Sequence, residues 1–246
     1  MENLYIREFV EHYKMIGVDK IIIFDNNNKD GERFEDKIND YIKINFVNII
    51  NYRNCKNCQH KSYEECYNKF KNKFDWFLFF DVDEFLIIPN YINIHEFVED
   101  KIFNQFDIIH VNWILFDDND LIFYDNRPLQ KRFIRPRFFI KKNYKNFHIK
   151  SIIRSRIKKL KFFNPHTPNG NYEVCDVTGK KVRNSAILKE NPAIPNLSVP
   201  YLKHFNCKTV EEYFKNKMKR GYPDLYGTKN FKKIMSKDYF FKHNME

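Results

Sequence analysis

The sequence predicts an α/β fold in which a mixed, mainly parallel sheet is flanked by helices. Short continuous apolar runs at 20–24 and 76–80 have the length of strands buried on both faces. Segments of helical periodicity alternate with these runs, an arrangement typical of parallel strands joined by crossover helices. The first half of the chain therefore indicates the fold class most strongly.

The predicted elements follow one another in regular order. Helices are predicted over 3–16, 33–42 and 62–73, and strands over 20–24, 46–50 and 76–80. Gly17 follows the first helix as a C-terminal stop, and turn residues fill 25–31. After residue 88 we predict a helix near 94–103, strands at 107–113, 137–141 and 148–154, and a loop over 192–200. A capping box that begins at Thr209 opens a last helix, which ends at Gly221.

The length and composition favour one folded domain over residues 1–246. The chain is 43% hydrophobic and 17% aromatic, with only six glycines and nine prolines. No run approaches the ~20 apolar residues of a membrane span, and the first residues lack the pattern of a signal peptide. The five cysteines fit a reducing compartment better than a disulfide scaffold. We therefore expect a cytoplasmic protein.

The basic residues that give a net charge of +11 are unevenly placed. Two interpretations of this cluster stay open. The first is that the cluster binds an anionic partner, such as a sugar nucleotide, an acidic glycan or the surface of a membrane. The second is that it is a solvated basic face. The clustered residues are Lys141, Lys142, Lys145, Lys150, Arg154, Arg156, Lys158, Lys159 and Lys161.

An acidic loop follows the most apolar predicted strand. In open α/β sheets ligands bind beyond the carboxyl ends of the strands, which is where Asp81 and Asp83 lie. Two residues apart in extended backbone, their side chains project to one side. Mg²⁺ and Mn²⁺ take such oxygen ligands and leave positions for phosphate oxygens. Glu84 is expected to face the core or to bond to the backbone.

Several segments of the chain, this loop among them, carry a further signal. They are Glu2-Asn3-Leu4-Tyr5-Ile6-Arg7-Glu8-Phe9-Val10-Glu11-His12-Tyr13, Gly17-Val18-Asp19, Ile23-Phe24-Asp25-Asn26, Tyr63, Cys66, Trp76, Asp81-Val82-Asp83-Glu84-Phe85-Leu86, His204-Phe205, Glu211-Glu212-Tyr213 and Lys219-Arg220-Gly221. Scattered residues at Trp113, Phe116, Lys150, Ser151 and His166 join the N-terminal and C-terminal segments. Together these segments resemble glycosyltransferase family 92 and related family-2-like enzymes.

The resemblance implies a Rossmann-like fold of the GT-A type and a metal cofactor, Mn²⁺ or Mg²⁺. Asp83 would coordinate the metal, and Asp81 would contact the metal through water or the ribose. Asp25 and Asp30 match acidic positions of the loop that contacts the nucleotide, and His204 matches a late histidine that completes the metal's ligands.

The function implied is transfer of a hexose from a nucleotide diphosphate sugar, with UDP as the expected nucleotide, to a glycan, lipid-linked or protein acceptor. Residues 1–88 would bind the donor and residues 89–246 the acceptor. The resemblance also implies a strand directly before the residues that match Met1 and Glu2. No residues of this sequence match that strand, so we expect it to be missing from the sheet or its edge to come from another segment.

Further candidates come from the second half of the chain. Asp117 and Asp118 follow a predicted strand and are candidates for the catalytic base, or they are turn residues. Trp113 is a candidate to stack on a sugar ring, and the alternative is that it is a residue of the core. Lys150 and His166 are candidates to contact phosphate or acceptor, and the alternative is a surface or core role. Cys55 and Cys58 suggest zinc, but no second ligand pair follows at suitable spacing, so free thiols are expected.

Two alternatives to a glycosyltransferase remain open. A metal-dependent nucleotidyltransferase would normally carry a glycine-rich phosphate loop, and none is visible among the six glycines. The other alternative is an inactive or truncated remnant of the fold that acts as a basic binding protein. Nucleic acid is not an expected partner, and a steep salt dependence of oligonucleotide binding would indicate otherwise.

Overall fold

The structure, a computed structural model, describes residues 2–55, 58–137, 144–194, 196–218, 237 and 240. The helices are α1 (Ile6–Met15), α2 (Glu35–Lys43), α3 (Gln59–Phe70), α4 (Ile94–Val98), α5 (Leu129–Arg132) and α6 (Val210–Glu212). The strands are β1 (Ile21–Asp25), β2 (Val47–Asn51), β3 (Trp76–Leu78), β4 (Glu84–Ile87), β5 (Ile108–Leu115), β6 (Ile149–Arg154), β7 (Val174–Asp176) and β8 (Tyr201–His204). No helix within these ranges has the length and apolarity to cross a membrane.

The described strands form two sheets. β1 and β2 are parallel, and the larger sheet has the order β3-β6-β5-β8-β4, with β7 also beside β5. Within the larger sheet β5 runs parallel to β7 and β8, whereas β3–β6, β5–β6 and β4–β8 are antiparallel. The α/β class and the mixed sheet are confirmed.

Parallel pairing does not predominate as expected, since half of the described strand pairs are antiparallel. A parallel connection needs a crossover of a dozen or more residues, usually a helix. Beyond residue 88 the helices α4 and α5 have only five and four residues. The strands of this part therefore return in the antiparallel direction more often than the sequence suggested.

Helix α1 fixes the position of the acidic loop. Its apolar face is buried, with Ile6 and Val10 fully inaccessible, as the helical spacing predicted. Tyr13 donates a hydrogen bond from its hydroxyl to the backbone oxygen of Glu84 at 2.9 Å. Gly17 ends the helix with a φ of 89°, a conformation that costs glycine little. The start of β4 is thereby held against α1.

Two strands that the sequence analysis did not predict complete this part of the sheet. β4 and β8 have four residues each, and they pair with Glu84 opposite His204. The capping box at Thr209 is confirmed, because its side chain and that of Glu212 each bond to the other residue's backbone. The predicted strand over 137–141 lies almost entirely outside the described residues, and so does the predicted stop at Gly221.

The cysteines differ from expectation in one pair. Cys55 and Cys58 form a disulfide with Cα atoms 5.9 Å apart, so the expected free thiols are wrong for these two residues. Their spacing in the chain allows the close approach that a disulfide requires. Cys66, Cys175 and Cys207 are buried free thiols, as expected.

The predicted basic cluster does not form one exposed face. Lys150 is buried, and the Arg154 guanidinium lies 4.2 Å from the centre of the Trp76 ring. Arg156 and Lys161 each pair with an acidic side chain. Lys141 and Lys142 lie outside the described residues. Only Lys150 and Arg154 of the described cluster are therefore packed into the fold, whereas Arg156, Lys158, Lys159 and Lys161 stay exposed.

Candidate functional site

A cavity of about 700 Å³ brings together most of the candidate site residues. One part of it, which we call the polar end, is lined by Asp81, Asp83, Trp113, Lys150, His166 and His204. The remainder is lined mainly by apolar residues of β1, the segment 76–80, α1 and α3. The sequence analysis named all six residues of the polar end, and the fold gathers them from three strands and two loops.

The acidic loop is a tight turn and not extended backbone. The Glu84 N–H donates to the Asp81 oxygen at 2.9 Å, and the Glu84 carboxylate accepts from the Asp81 N–H at 2.8 Å. The Phe205 N–H donates to the Asp83 oxygen at 3.0 Å. The extended geometry assumed for the aspartates is therefore wrong, although both still line the cavity. Glu84 bonds to the backbone as expected.

Asp81 is held by a buried lysine. The Lys150 Nζ lies 2.9 Å from Asp81 Oδ2, and Gln59 Nε2 donates to Asp81 Oδ1 at 3.1 Å. The Lys150 side chain is only 1% exposed, and Glu84 lies 3.7 Å from its Nζ. Burial disfavours the lysine's charge, but the charges of Asp81 and Glu84 outweigh burial and raise the Lys150 pKa well above its usual value. Lys150 is thus a fixed positive charge facing the cavity.

Glu84 lies beneath this pair. Burial raises its pKa well above the usual range, even though the charge of Lys150 acts in the opposite direction. Its side chain is fully buried and accepts a hydrogen bond from the turn that carries Asp81. Glu84 therefore supports the turn from the core side.

Asp83 has a different pair of neighbours. The Lys208 Nζ lies 2.7 Å from Asp83 Oδ2, and His204 Nε2 lies 3.8 Å from Asp83 Oδ1. Burial favours protonation of Asp83, but the charges of Lys208, His204 and Lys217 outweigh it and hold its pKa well below the usual range. Asp83 is therefore an ionised carboxylate.

Aromatic and imidazole rings form the adjoining wall. The Trp113 ring centre lies 4.2 Å from that of His204, 5.1 Å from His166 and 5.3 Å from His148. The indole nitrogen of Trp113 has no hydrogen-bond partner among the described residues. Burial and the charge of Lys150 lower the His166 pKa to about 4, so this ring is neutral at pH 7. The wall combines flat rings with an N–H donor that a ligand could use.

Asp83 and His204 have the spacing of two ligands of one divalent cation. The 3.8 Å between Asp83 Oδ1 and His204 Nε2 exceeds a hydrogen bond. It suits two ligands that each lie about 2.1 Å from one ion. Both aspartates also pair with a lysine, Asp83 through Oδ2 with Lys208 at 2.7 Å and Asp81 through Oδ2 with Lys150 at 2.9 Å. No group of three histidine, cysteine or carboxylate side chains in the described ranges is arranged to hold an ion. Asp83 and His204 are thus spaced as two ligands of a metal ion would be, and the remaining ligands would have to come from elsewhere.

The predicted nucleotide contacts at Asp25 and Asp30 lie outside the cavity lining. The Asp25 side chain is only 3% exposed and pairs with Arg53 at 2.8 Å. Arg53 also donates to backbone oxygens of the loop after β1, including that of Glu32 at 2.7 Å. Asp30 is exposed in that loop. Asp25 thus holds the loop's shape, and a nucleotide contact at either residue stays a prediction.

Asp117 and Asp118 also lie away from the cavity. The Asp117 carboxylate accepts from the Asn119 N–H at 2.8 Å and pairs with Arg135 at 3.2 Å. The Asp118 carboxylate accepts from the Asp120 N–H at 3.1 Å, and burial raises its pKa. Both are bonded as turn residues, which the sequence analysis had named as the alternative to a catalytic base.

The sequence analysis missed Lys208 and Gln59. Lys208 is 125 residues from Asp83, the residue that it contacts, and Gln59 is 22 residues from Asp81. Lys208 lies two residues before the predicted helix and has a φ of 63°, which makes its position unusual only once the fold is known. Neither side chain belongs to a short motif, so the sequence carried no signal for it.

Comparisons with known proteins agree with the resemblance. The profile of glycosyltransferase family 92 matches residues 2–225. A family 92 protein of Arabidopsis thaliana is 28% identical over 87 residues, which are 35% of this chain and 15% of that protein. A family 92 protein of Ricinus communis is 26% identical over 100 residues, 41% of this chain and 18% of that protein. The matched stretches therefore span less than a fifth of either relative.

Proposed function

Because the chain belongs to glycosyltransferase family 92, we propose that it transfers a hexose from a UDP-sugar to a hydroxyl group of a glycan, lipid-linked or protein acceptor. The fold proposed for this role is of the GT-A type. The observation that carries the proposal is the meeting of Asp81, Asp83, Lys150 and His204 in one cavity beyond the carboxyl end of β3. This is the edge of an α/β sheet at which ligands bind.

The chemistry requires stabilisation of the diphosphate as it leaves the sugar. Lys150 and Lys208 hold positive charge against Asp81 and Asp83 at 2.9 and 2.7 Å. Fixed charges in a site shielded from water stabilise developing negative charge without reorganisation. A Mn²⁺ or Mg²⁺ ion bound by Asp83 and His204 would supply Lewis-acid stabilisation of the same diphosphate. Asp81 orients the Lys150 ammonium.

The wall formed by the aromatic and imidazole rings is suited to bind the hexose of the donor. The faces of Trp113, His148 and His166 lie within about one ring diameter of each other, at centre-to-centre distances of 5.1–5.3 Å. A hexose presents C–H groups to such surfaces and hydroxyl oxygens to donors. The unpartnered Trp113 N–H would donate to a sugar hydroxyl, which removes the cost of its burial without a hydrogen bond.

Binding of sugar nucleotides tests this proposal directly. We expect UDP-glucose or UDP-galactose with Mn²⁺ to stabilise the chain by about 2.7 kcal/mol at a hundred times Kd, measured by thermal unfolding. Asp83→Asn should abolish the part of this stabilisation that requires Mn²⁺. The matched control is Asp36→Asn, an exposed residue of α2 away from the cavity, and it should bind as the unmodified chain does. Stabilisation that is equal with and without Mn²⁺ would contradict the metal's role.

The same panel separates the alternatives. Stabilisation by nucleoside triphosphates in preference to sugar nucleotides would indicate a nucleotidyltransferase. A chain that no sugar nucleotide stabilises would be a remnant of the fold. Transfer of radiolabelled hexose to a glycan mixture, absent in Lys150→Met, would establish the reaction itself.

A further inference from the structure

One segment of the chain has the acceptor pattern for attachment of a glycan to asparagine. Asn196-Leu197-Ser198 is the single place in the sequence where an asparagine is followed, after one residue other than proline, by a serine or threonine. Enzymes that glycosylate asparagine require this spacing. So short a pattern also arises by chance, and its use therefore depends on how the fold presents these residues.

The loop before β8 presents Asn196 and Ser198 to solvent. Both residues are exposed, whereas Leu197 and Val199 are half-buried and pack against the core. The Leu197 N–H also donates to the Ala193 oxygen at 2.9 Å, which fixes the loop from within. Because the apolar residues that alternate with them are held inward, the two polar residues are directed outward.

The two polar residues of the acceptor pattern also contact each other. The Ser198 hydroxyl donates to Asn196 Oδ1 at 2.8 Å, and the Ser198 N–H donates to the same oxygen at 3.3 Å. Within the described residues both bonds of the Asn196 side chain thus involve its oxygen. The amide nitrogen, which is the atom that receives the sugar, is left without a hydrogen bond to any described residue.

This loop lies at the end of the β4–β8 ladder that is remote from the polar end of the cavity. Asn90, which follows β4, donates from its side chain to the Ser198 oxygen at 3.1 Å. At the other end of the ladder Glu84 is opposite His204, which lines the cavity. The strands rise about 3.3 Å per residue, so the ladder separates a glycan on Asn196 from the cavity.

The disulfide between Cys55 and Cys58 is an independent observation about the surroundings of the chain. Disulfides persist in oxidising compartments such as the lumen of the secretory pathway, and they are rare where glutathione keeps thiols reduced. The three free thiols are buried, which shields them from oxidation. Glycans are attached to asparagine in secreted proteins. The disulfide and the acceptor pattern therefore favour the same compartment, in place of the cytoplasm that the sequence analysis expected.

We propose that Asn196 is an N-glycosylation site, which receives an oligosaccharide from a lipid diphosphate carrier in the lumen of the secretory pathway. The Asn196 amide nitrogen forms a bond to C1 of the first sugar as the bond between C1 and the diphosphate oxygen breaks. The amide loses one proton to a base of the transferring enzyme, and the lipid diphosphate is the leaving group. The glycan keeps this end of the β4–β8 ladder in water. This inference does not depend on the reaction that the chain itself catalyses.

Mass spectrometry of the full chain, isolated from the cells that produce it, tests the proposal. Trypsin cuts after Lys189 and Lys203 and releases Asn196 in the peptide 190–203. We expect most of this peptide to carry a glycan, which peptide-N-glycosidase removes while it converts Asn196 to aspartate. A peptide 190–203 that is mainly unmodified before the glycosidase is added would overturn the proposal.

The disulfide is checked on the same isolated chain. In denaturant, Cys66, Cys175 and Cys207 should react with an alkylating agent at once, whereas Cys55 and Cys58 should react only after a reductant is added. Alkylation of all five cysteines without reductant would mean that the chain comes from a reducing compartment. That result would overturn the proposal as well.

Substitutions identify the acceptor residue. The full chain is directed into endoplasmic-reticulum microsomes by an added leader, and its electrophoretic mobility is compared before and after glycosidase treatment. Asn196→Gln and Ser198→Ala should lose the shift, whereas Ser198→Thr should keep it, because threonine retains the hydroxyl that the pattern requires. The matched control Ser185→Ala, next to an asparagine outside such a pattern, should also keep it. No shift in the unmodified chain, or a shift that persists in Ser198→Ala, would overturn the proposal.

Discussion

Single residues of this chain owe their roles to partners that are far away in sequence. Lys150 and Asp81 are 69 residues apart, yet the lysine is almost fully buried against the carboxylate. The sequence analysis could name Asp81, because an acidic loop after a buried strand is a local pattern. It could name Lys150 only as a candidate, since the lysine's burial depends on how β3 pairs with β6. Local patterns therefore identify the carboxylates better than the cations.

Replacing the buried lysine should destabilise the protein. Lys150→Met removes the positive charge beside Asp81 and Glu84. Breaking a buried ion pair by removing one partner costs about 3–5 kcal/mol. Because the Asp81 side chain is 41% exposed, we expect a smaller loss of about 1–3 kcal/mol in the free energy of unfolding, measured by urea denaturation at pH 7. The control Lys161→Met removes an exposed partner of Glu64 and should cost no more than about 1 kcal/mol. Equal losses would show that Lys150 carries no special charge role.

At the scale of elements, Glu212 joins three helices. Arg132 at the end of α5 donates to its carboxylate at 2.8 and 3.1 Å, and the Tyr5 hydroxyl before α1 donates to it as well. The Thr209 backbone N–H donates to the same group at 3.1 Å. Burial favours the protonated acid, but these hydrogen bonds outweigh burial and lower the Glu212 pKa. The Glu212 carboxylate is therefore a buried charge that connects the start of α1 with α5 and α6.

Replacing the arginine that binds Glu212 should weaken the packing of these helices and lower the stability of the protein. Arg132→Met leaves the Glu212 carboxylate, 3% exposed, without its cation, and we expect a loss of about 3–5 kcal/mol in unfolding free energy. Arg127→Met, which breaks an exposed pair with Asp125, is the matched control. The added change Glu212→Gln should restore part of the loss, because no buried charge then remains. A double variant no more stable than Arg132→Met would argue against this explanation.

The elements that the sequence identified have a clear local pattern, and the strands that it missed do not. α1 has ten residues and a clear apolar face, so the spacing of its apolar residues was sufficient to predict a helix. β4 and β8 have four residues each, which is too short for a periodic pattern to stand out. They are strands because they pair with each other and because β8 also pairs with β5. Such pairing is tertiary information that a local pattern does not contain.

Three buried histidines couple the stability of the whole molecule to pH. Burial lowers the pKa of His12 and His166 to about 4 and that of His110 to about 3. The ordinary value is 6.5, so the unfolded chain binds more protons than the folded one between about pH 6.5 and 4. Stability due to these groups is therefore present above pH 6.5 and is lost as the pH falls towards 4.

One histidine can be separated from the others by substitution. In His110→Gln the unfolding free energy should fall less steeply between pH 6 and 4, by up to about 1.4 kcal/mol per pH unit. The comparison cancels the opposite contribution of Glu84, whose pKa is raised. The control His95→Gln changes a histidine whose side chain is 47% exposed and should keep the original slope. An unchanged slope in His110→Gln would show that this histidine does not take up a proton on unfolding.

The predicted division of the chain at residue 88 does not coincide with a boundary in the sheet. β3 and β4 precede that point, yet their partners β6 and β8 come after residue 148. A chimera that exchanged the first 88 residues for those of a relative would thus replace one side of two hydrogen-bonded ladders. It would have to reproduce the alignments of Leu78 with Ile152 and of Glu84 with His204. Under the proposed function, a graft of the donor-binding segment into another protein would therefore have to carry β6 and β8 with it.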